Sequence, residues 1–575
     1  MTETVKTQDS LRSFSFETLS QQDEWLRLGH YEKKLWGGYE SKVRGKKFFL
    51  SEKGSVSPAA ELEATFNAMF GSDAHLRQET QCAYLARRDF ILKHYPSTTL
   101  ETCEKFNEWI EKINPEKVSL IFATGMISSP ASSFGHVFLK FHNSRRGEGL
   151  ELLDYSVNYA ARTADTRGAL YAWYGLLGYF PGTYGMAPYH HLIKEYTNME
   201  GRDLWEYELN FTRHENETLF KHLWELERGY FDYYFLDENC ALLITRLLEV
   251  ARPSMKLWQG HDIWVLPLDT VKSAYKAGIV SSAEFRPSLQ SALSAELKPL
   301  SLSGELKIRE LNQNRHNIEK QKEIINEMNV QELEAAQTYF NMKLMEDVKA
   351  YKDVLFYLGR RRASLNTLAL AKTEVTAPPS PHLRPDSAMT ALWGEGPLYG
   401  VSVRPAGYDL LSSHLGVAAF SEFEVLKFDL NFNSKESSDF VHDLKVLNVL
   451  NSTAINGIER PLSFGFAAQY SDRWQGPIKL GWSVDLGPHG RWMNFAKARW
   501  QEKKGPETSY KPVVGGLESL LAFEFQNRIR AFVSYESLEN EKVQWKSGAS
   551  IDLQKNIELR VSIYERSQFS LLAWF

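Results

Sequence analysis

The sequence predicts a multidomain α+β chain with a helical N-terminal region, an α+β middle, a helical connector and a C-terminal antiparallel β-barrel. Three observations predict it: the length, a β-rich middle section set between helical patterns, and a switch to strict alternation near residue 385. At 575 residues the chain exceeds what one core supports, so several domains are expected. Hydrophobic residues make up 43 % and charged residues 24 %, the balance of a folded rather than a disordered chain. A formal net charge of −5 leaves no basic footprint, which excludes nucleic acid as an expected partner.

The expected domains span 15–112 (helical), 113–300 (a thiol-bearing α+β domain), 301–372 (helical connector) and 385–575 (barrel). The opening MTETVKTQDSLRSFSF has neither a basic n-region nor an apolar h-region, so no signal peptide is read there. The expected location is the cell envelope, in a form whose leader has been removed. Within 15–112, QQDEWLRLGHYEKKLW and SPAAELEATFNAMF carry apolar residues at helical spacing. Ser57-Pro58 marks a helix start, and FFL at 48–50 suggests a short strand.

From residue 117 the pattern turns to strands. KVSLIFATG is an apolar run, SSPASSFGH a loop of small residues, and HVFLKFHN and LELLDYSVNYAA are strands joined by the turn-rich SRRGEG, together a hairpin. A period of two puts Asp154, Ser156 and Asn158 on one polar face, opposite His136 at the hairpin entrance. The segment 168–189, GALYAWYGLLGYFPGTYGMAPY, carries no charge. Its length approaches a membrane span, but its Gly and Pro content disfavours a continuous helix. A buried segment or a lipid-facing hairpin remains. Next come a strand, DLWEYELNF, and two helices, HENETLFKHLWELERG and FLDENCALLITRLLEVARP. Trp224 and Glu225 in the first read as core and rim. Asp237 or Asn239 can cap the second, and Pro253 follows its end. Residues 304–372 read as a helical hairpin connecting two domains, and TEVTAPPSPHLRP as a linker.

In the last region LKFDLNF sets Leu426, Phe428, Leu430 and Phe432 on one face and Lys427, Asp429 and Asn431 on the other. IELRVSIYE alternates in the same way, and RWQGP, LGPHG and KKGPE read as turns. The chain ends QFSLLAWF, with Phe569, Leu571, Ala573 and Phe575 on one face, like the final strand of an outer-membrane barrel. At about 16 residues per strand and turn the region holds roughly ten to twelve strands. The outer membrane is therefore the expected setting, with a soluble sandwich or ligand-binding barrel as the alternative.

Three cysteines are present. Cys82 and Cys103 lie close in sequence and are the candidate disulfide, which leaves Cys240 as the odd thiol. Cys240 falls in the first turn of a helix, where the dipole and the free N–H groups favour a thiolate. A thiol nucleophile also needs a base and a group that orients the base. His136 is the candidate base. Asn158 is the candidate orienter, or failing it Ser156 or Asp154. The Cys240 backbone N–H is a candidate oxyanion donor, assisted by an unidentified side chain. Ser129, Ser132, Ser133 and Asn239 are candidates for shaping the site. The plain alternative is an inert packed cysteine. His190, His191 and Glu195 lack a third ligand at convincing spacing, so no metal is expected, and nothing calls for a cofactor.

SSPASSFGHVFLKF, YSVNYAA, RDLWEYELNFT and FLDENCALLITRLLE, over roughly 117–252, resemble the periplasmic domain of the Lnb-type bacterial lipoprotein N-acyltransferases. That domain is similar to the circularly permuted branch of the papain-like and NlpC/P60 thiol fold, in which the histidine strand comes first and the nucleophile helix last. DEWLRLGHY through ETQCAYLARRDF resembles the helical region that precedes it in Gram-negative relatives. The resemblance implies Cys240 as nucleophile and His136 as base. The C-terminal half departs from that family, which is anchored by transmembrane helices. Three functions follow as expectations. The first is an envelope thiol acyltransferase or acyl hydrolase, with an acyl-thioester on Cys240 and a lipid or lipoprotein acyl donor. The second is an NlpC/P60-like peptidase or amidase acting on peptidoglycan peptides. The third is a non-enzymatic outer-membrane barrel whose periplasmic domain binds a partner.

Overall fold

The structure, a computed structural model, describes residues 15–574 apart from 98–99, 128–132, 144, 146–149, 164–173, 176, 236, 259–263, 366–374, 385–387, 395–397, 434–439, 472, 504–510, 527, 540, 555–556 and 564–566. It divides into two compact units. The first comprises Met1–Ala123, His136–Glu195 and Leu204–Arg286, and the second Thr124–Gly135, Tyr196–Asp203 and Pro287–Phe575.

The first unit begins with helices α1 (Phe16–Leu19), α2 (Asp23–Leu28), α3 (Pro58–Phe70), α4 (Ala74–Ala83), α5 (Leu85–His94) and α6 (Glu104–Ile113). Ser57 starts α3 by accepting the Ala60 N–H, with Pro58 in the first turn. Two local expectations are corrected. The helical pattern of QQDEWLRLGHYEKKLW stops at Leu28, because His30 adopts a left-handed backbone with φ of 49°, which ends a helix. The residues beyond it form a hairpin, β1 (Tyr31–Lys33) with β2 (Tyr39–Ser41). FFL at 48–50 is not a strand; Phe48 is instead a fully buried core side chain. Cys82 and Cys103 are joined by a disulfide.

Trp25, Leu62, Phe66, Phe90 and Ile91 form the core of this helical region. A buried polar chain runs beside it. The Arg87 guanidinium meets Glu61 at 2.7 Å, and its backbone N–H donates to Glu225 at 2.9 Å. Glu225 faces His222 Nδ1 at 3.1 Å, and His222 Nε2 faces His30 Nε2 at 2.9 Å. Glu225 is therefore no rim residue: it is completely buried, because Arg87 and His222 satisfy it. Burial, then the neighbouring His222, holds the His30 imidazole well below its usual range.

The same unit contains a seven-stranded antiparallel sheet. Its strands are β3 (Pro115–Ala123), β4 (His136–Asn143), β5 (Tyr155–Ala161), β6 (Phe180–Pro188), β7 (Leu204–Leu209), β8 (Phe231–Tyr233) and β9 (Val280–Arg286), in the order β8-β6-β5-β4-β3-β7-β9. The helices following β6 are α7 (Tyr189–Ile193), α8 (Arg213–Leu226), α9 (Cys240–Ala251) and α10 (Pro267–Lys276). A capping box of Thr212 and Glu215 starts α8. Apolar strand residues such as Leu120, Phe122, Leu139 and Val157 bury against Leu219, Phe220, Leu243, Leu247 and Leu268 of the helices. LELLDYSVNYAA is only partly strand, since Glu151–Leu153 make a 3-10 turn closed by Asp154 and pairing begins at Tyr155. The uncharged stretch 168–189 is resolved in its second half: residues 180–188 are β6, hydrogen-bonded to β5 and β8. This half is therefore sheet strand and not a membrane helix; 168–173 and 176 lie outside the described residues.

The second unit contains, among the described residues, the α-helices α11 (Leu289–Leu297), α12 (Leu302–Gln313), α13 (Ile318–Asn326), α14 (Val330–Lys343) and α15 (Val348–Ser364). The expectation of a helical hairpin is corrected. Ser301, Asn317, Asn329 and Asp347 each accept a backbone N–H at a helix start and so divide the charged stretch into short helices. These bury a core of their own around Ile308, Leu311, Leu333, Tyr339, Phe340 and Val354.

The barrel strands are β10 (Ala388–Gly394), β11 (Leu398–Arg404), β12 (Ala406–Tyr408), β13 (Glu422–Asn433), β14 (Phe440–Asn451), β15 (Ser463–Ser471), β16 (Arg473–Asp485), β17 (Gly490–Gln501), β18 (Val513–Phe525), β19 (Ile529–Leu538), β20 (Gln544–Gln554), β21 (Ile557–Ile563) and β22 (Ser567–Trp574). β11 and β12 pair with the same neighbour, β13, and count as one strand broken at Pro405. β10 pairs with the last strand, Ala388 opposite Trp574, which closes twelve antiparallel strands. RWQGP is strand rather than turn: Pro477 lies inside β16 opposite Arg499 of β17, and this pairing overrides the local signal.

The outward positions carry exposed Phe428, Leu430, Trp474, Ile478, Leu480, Trp482, Trp492, Trp500, Leu517, Phe569 and Leu571. An apolar belt around a closed barrel is the surface that a bilayer covers. No helix among the described residues is long and apolar enough to cross a membrane. The lumen is polar and crossed by ion pairs: Glu518 meets Lys479 at 3.0 Å and Lys497 at 3.2 Å, and Glu536 meets Lys497 at 2.8 Å and Lys546 at 2.9 Å. The segment after β12 also enters the lumen. Asp409 pairs with Arg404 and Arg560, and the Leu411 carbonyl accepts from Arg530 and Ser550. Leu410 packs on Met493, Phe495, Leu520 and Ala522 of β17 and β18, strands on the far wall from β12. The side chain of Phe432, and Phe575 as a whole, lie outside the described residues.

Candidate functional site

β3 leads through a loop into β4, and Gly135, with φ of +94°, supplies the left-handed turn directly before His136. β4 pairs with β5 so that Leu139 faces Val157 and Lys140 faces Ser156. His136 Nε2 then meets Asn158 Oδ1 at 2.6 Å. With the amide oxygen accepting, the imidazole carries its proton on Nε2 and Nδ1 keeps a basic lone pair.

The alternative orienters are occupied elsewhere. The Ser156 hydroxyl donates to the Ala187 carbonyl at 2.9 Å. Asp154 accepts the Asn143 N–H at 3.3 Å and stands 3.9 Å from His142. Ser133 is buried, and Ser129 and Ser132 lie outside the described residues. Asn239 caps α9, its Oδ1 accepting from Ala241 and Leu242 and its Nδ2 donating to the Phe235 and Val265 carbonyls. The cap fixes where the helix starts and hence where Cys240 lies.

Cys240 is the first residue of α9 and is buried. α9 packs on β4 and β5, the strands that carry His136 and Asn158. Cys240 belongs to the same buried cluster as Val137, Leu139, Val157, Tyr159 and Phe231. Tyr159 lies 5.1 Å from Tyr184, 6.0 Å from Phe231 and 5.6 Å from Tyr233 between ring centroids. The Tyr184 hydroxyl donates to the Leu243 carbonyl at 2.8 Å. Sequence reasoning missed these tyrosines. The aromatic run GYFDYYF, shortly before the cysteine, was the available signal for Tyr233.

A polar cluster on β4 and β7 was missed as well. Lys140 donates to Glu206 at 3.0 Å, and His142 lies 3.2 Å from the same carboxylate. Burial alone would raise the Glu206 carboxyl, but His142 and Lys140 outweigh it and hold it at about 2. An unfolded glutamate titrates near about 4.3, so the folded carboxyl is the stronger acid. Its stabilisation is complete above that value and is lost as pH falls towards 2. Acid loosening of the sheet is therefore expected in that window. Lys140→Met should raise its midpoint by roughly one to two pH units, read by near-ultraviolet circular dichroism of the full-length protein. An unshifted midpoint would contradict this account.

Residues 105–277 match the Lnb N-terminal periplasmic domain. Upstream of this Lnb-matched region, residues 17–94 match a domain of unknown function (DUF7843). No curated protein matches the chain. Similar solved structures include porins and an outer membrane channel, each matched along almost its whole length. KdgM porin in complex with disordered oligogalacturonate has 9 % identity, covering 33 % of this chain and 99 % of its own, with a TM-score of 0.23. NanC porin has 8 % identity, the same two coverages and a TM-score of 0.24. An outer membrane channel from Pseudomonas putida F1 has 11 % identity, covering 35 % and 100 %, with a TM-score of 0.22. The Lnb match and the belted barrel place this protein in the bacterial envelope.

Proposed function

We propose that the Lnb-matched region is a cysteine-nucleophile acyltransferase or acyl hydrolase, acting on lipid or lipoprotein acyl groups through an acyl-thioester on Cys240. The observation that carries the reading is the 2.6 Å contact of His136 Nε2 with Asn158, made on strands against which the Cys240 helix packs. His136 takes the thiol proton on Nδ1, and the helix start stabilises the thiolate. The sulfur adds to an ester carbonyl. The C–O bond then breaks, and the departing alkoxide takes the proton back from the imidazolium. An amine that attacks the thioester yields an amide and restores the thiol; water yields a carboxylate instead. The apolar and aromatic character of the buried cluster to which Cys240 belongs favours an acyl chain over a polar peptide. In the same reading the domains run 15–112, 113–300, 301–372 and 385–575, and the barrel serves as the membrane anchor, its lumen being crossed by ion pairs and by the segment after Tyr408.

The test is intact-mass analysis of the full-length protein after incubation with phospholipid or a diacylated lipoprotein. The wild type is expected to gain one acyl group, and Cys240→Ala none. Absence of the adduct, with cleavage of muropeptides by the wild type, would replace this reading with the peptidase.

A further inference from the structure

We infer that Tyr159 is a catalytic residue of this site, its phenolic hydroxyl donating to the oxyanion that forms when Cys240 adds to an acyl carbonyl. The inference rests on the thiol reading above and supplies the side-chain donor which that reading lacks.

Tyr159 is completely buried, and its hydroxyl has no hydrogen-bond partner. A buried hydroxyl left unpaired is costly and calls for an explanation. Its neighbour on β6 shows the ordinary solution, for Tyr184 spends its hydroxyl on the Leu243 carbonyl. Tyr159 could not easily turn away to find a similar partner. Its ring is stacked on Tyr233 at an interplanar angle of 15° and flanked by Tyr184 and Phe231. Gly182 makes room for the hydroxyl, which packs against its backbone: a Cβ there would stand 2.1 Å from the phenolic oxygen.

The hydroxyl lies in the same buried cluster as Cys240. Burial pushes the phenol up, and Tyr184, Tyr233, Glu238 and Cys240 add to the effect. The hydroxyl therefore stays protonated at neutral pH, which an oxyanion donor requires. Charge that develops on the carbonyl oxygen during thiolate addition would meet a fixed donor in a water-poor site, where such a bond counts most. When the tetrahedral intermediate collapses and the leaving alkoxide departs, the oxygen returns to a carbonyl and the phenol keeps its proton. No proton is transferred by Tyr159 in either direction.

The experiment uses full-length protein in detergent with p-nitrophenyl butyrate as acyl donor, and Cys240→Ala as the blank. Tyr159→Phe removes one oxygen and nothing else. It is expected to lower kcat by roughly 10²–10³-fold with KM within about twofold. The alkylation rate of Cys240 by iodoacetamide, and the pH dependence of that alkylation, should stay at wild-type values. A structural role would instead lower the melting temperature and leave kcat alone, and that outcome overturns the inference. A variant that loses alkylation together with kcat overturns it as well, because the site itself has then changed. If the wild type turns over and Tyr159→Phe matches it, Tyr159 is not a donor while the thiol reading stands. If wild type and Cys240→Ala release p-nitrophenolate equally, the thiol reading fails and this inference with it.

Discussion

Replacing His136 with alanine is expected to slow acylation of Cys240 by roughly 10²–10⁴-fold at neutral pH, the usual contribution of a positioned general base. Without the imidazole, only the helix start would favour the thiolate, and the rate would follow the thiolate fraction. The defect should therefore shrink as pH rises towards and beyond about 8.5, where a cysteine ionises unaided. Asn158→Ala should give a smaller loss, because the base is still present but its ring and tautomer are no longer held. The measurement is the rate of adduct formation by intact mass across a pH series. A His136→Ala variant that acylates at the wild-type rate would remove His136 from the chemistry, and a defect independent of pH would point to collapse of the site.

Arg87→Ala is expected to be the most destabilising single change in the helical region. Arg87 is completely buried, as are its two carboxylate partners, Glu61 at 2.7 Å and Glu225 at 3.9 Å. Its guanidinium also lies over the rings of Phe48 and Tyr84, at 4.2 and 4.7 Å. Truncation leaves two carboxylates in a dry site without a counter-ion, which costs about 3–5 kcal/mol. In the full-length protein this should appear as amide exchange in α5 faster by roughly two to three orders of magnitude. The triple variant Glu61→Gln, Arg87→Met, Glu225→Gln removes all three charges and should recover most of the loss, since desolvated charge and not the ion pair itself is the origin of the cost. Equal exchange in Arg87→Ala and the wild type would show that the carboxylates are solvated or protonated in the native state.

Much of the candidate site was legible because its signals are local. Cys240 stands out as the third cysteine, and Asn239 before an apolar run marks the helix start at which it lies. Gly135-His136 at the head of a strand, and the alternation around Asn158, follow from spacing. Ser156 and Asp154 were indistinguishable from Asn158 by periodicity, since all three share a face. They differ only in partners from other elements: β6 for Ser156, and Asn143 with His142 for Asp154. Glu225 read as a rim residue for a similar reason, as nothing in its own helix announces the Arg87 side chain that arrives from α5.

The sequence alone determined the barrel and its polarity, because alternation has a period of two and is written residue by residue in segments such as LKFDLNF. It also placed the start of α9 to within a turn, at Asp237 or Asn239, since capping acts within four residues; the structure selects Asn239. Only the tertiary structure decided that β10 meets β22, that the segment after Tyr408 folds into the lumen, and that the charged stretch 301–364 is divided into four short helices that pack together with α11. It alone brought the imidazole of His136 onto Asn158 and left the hydroxyl of Tyr159 unpaired. Each of these depends on contacts between residues far apart in the chain. Periodicity assigns a side chain to a face, but its partner is set by the register and packing of the elements around it.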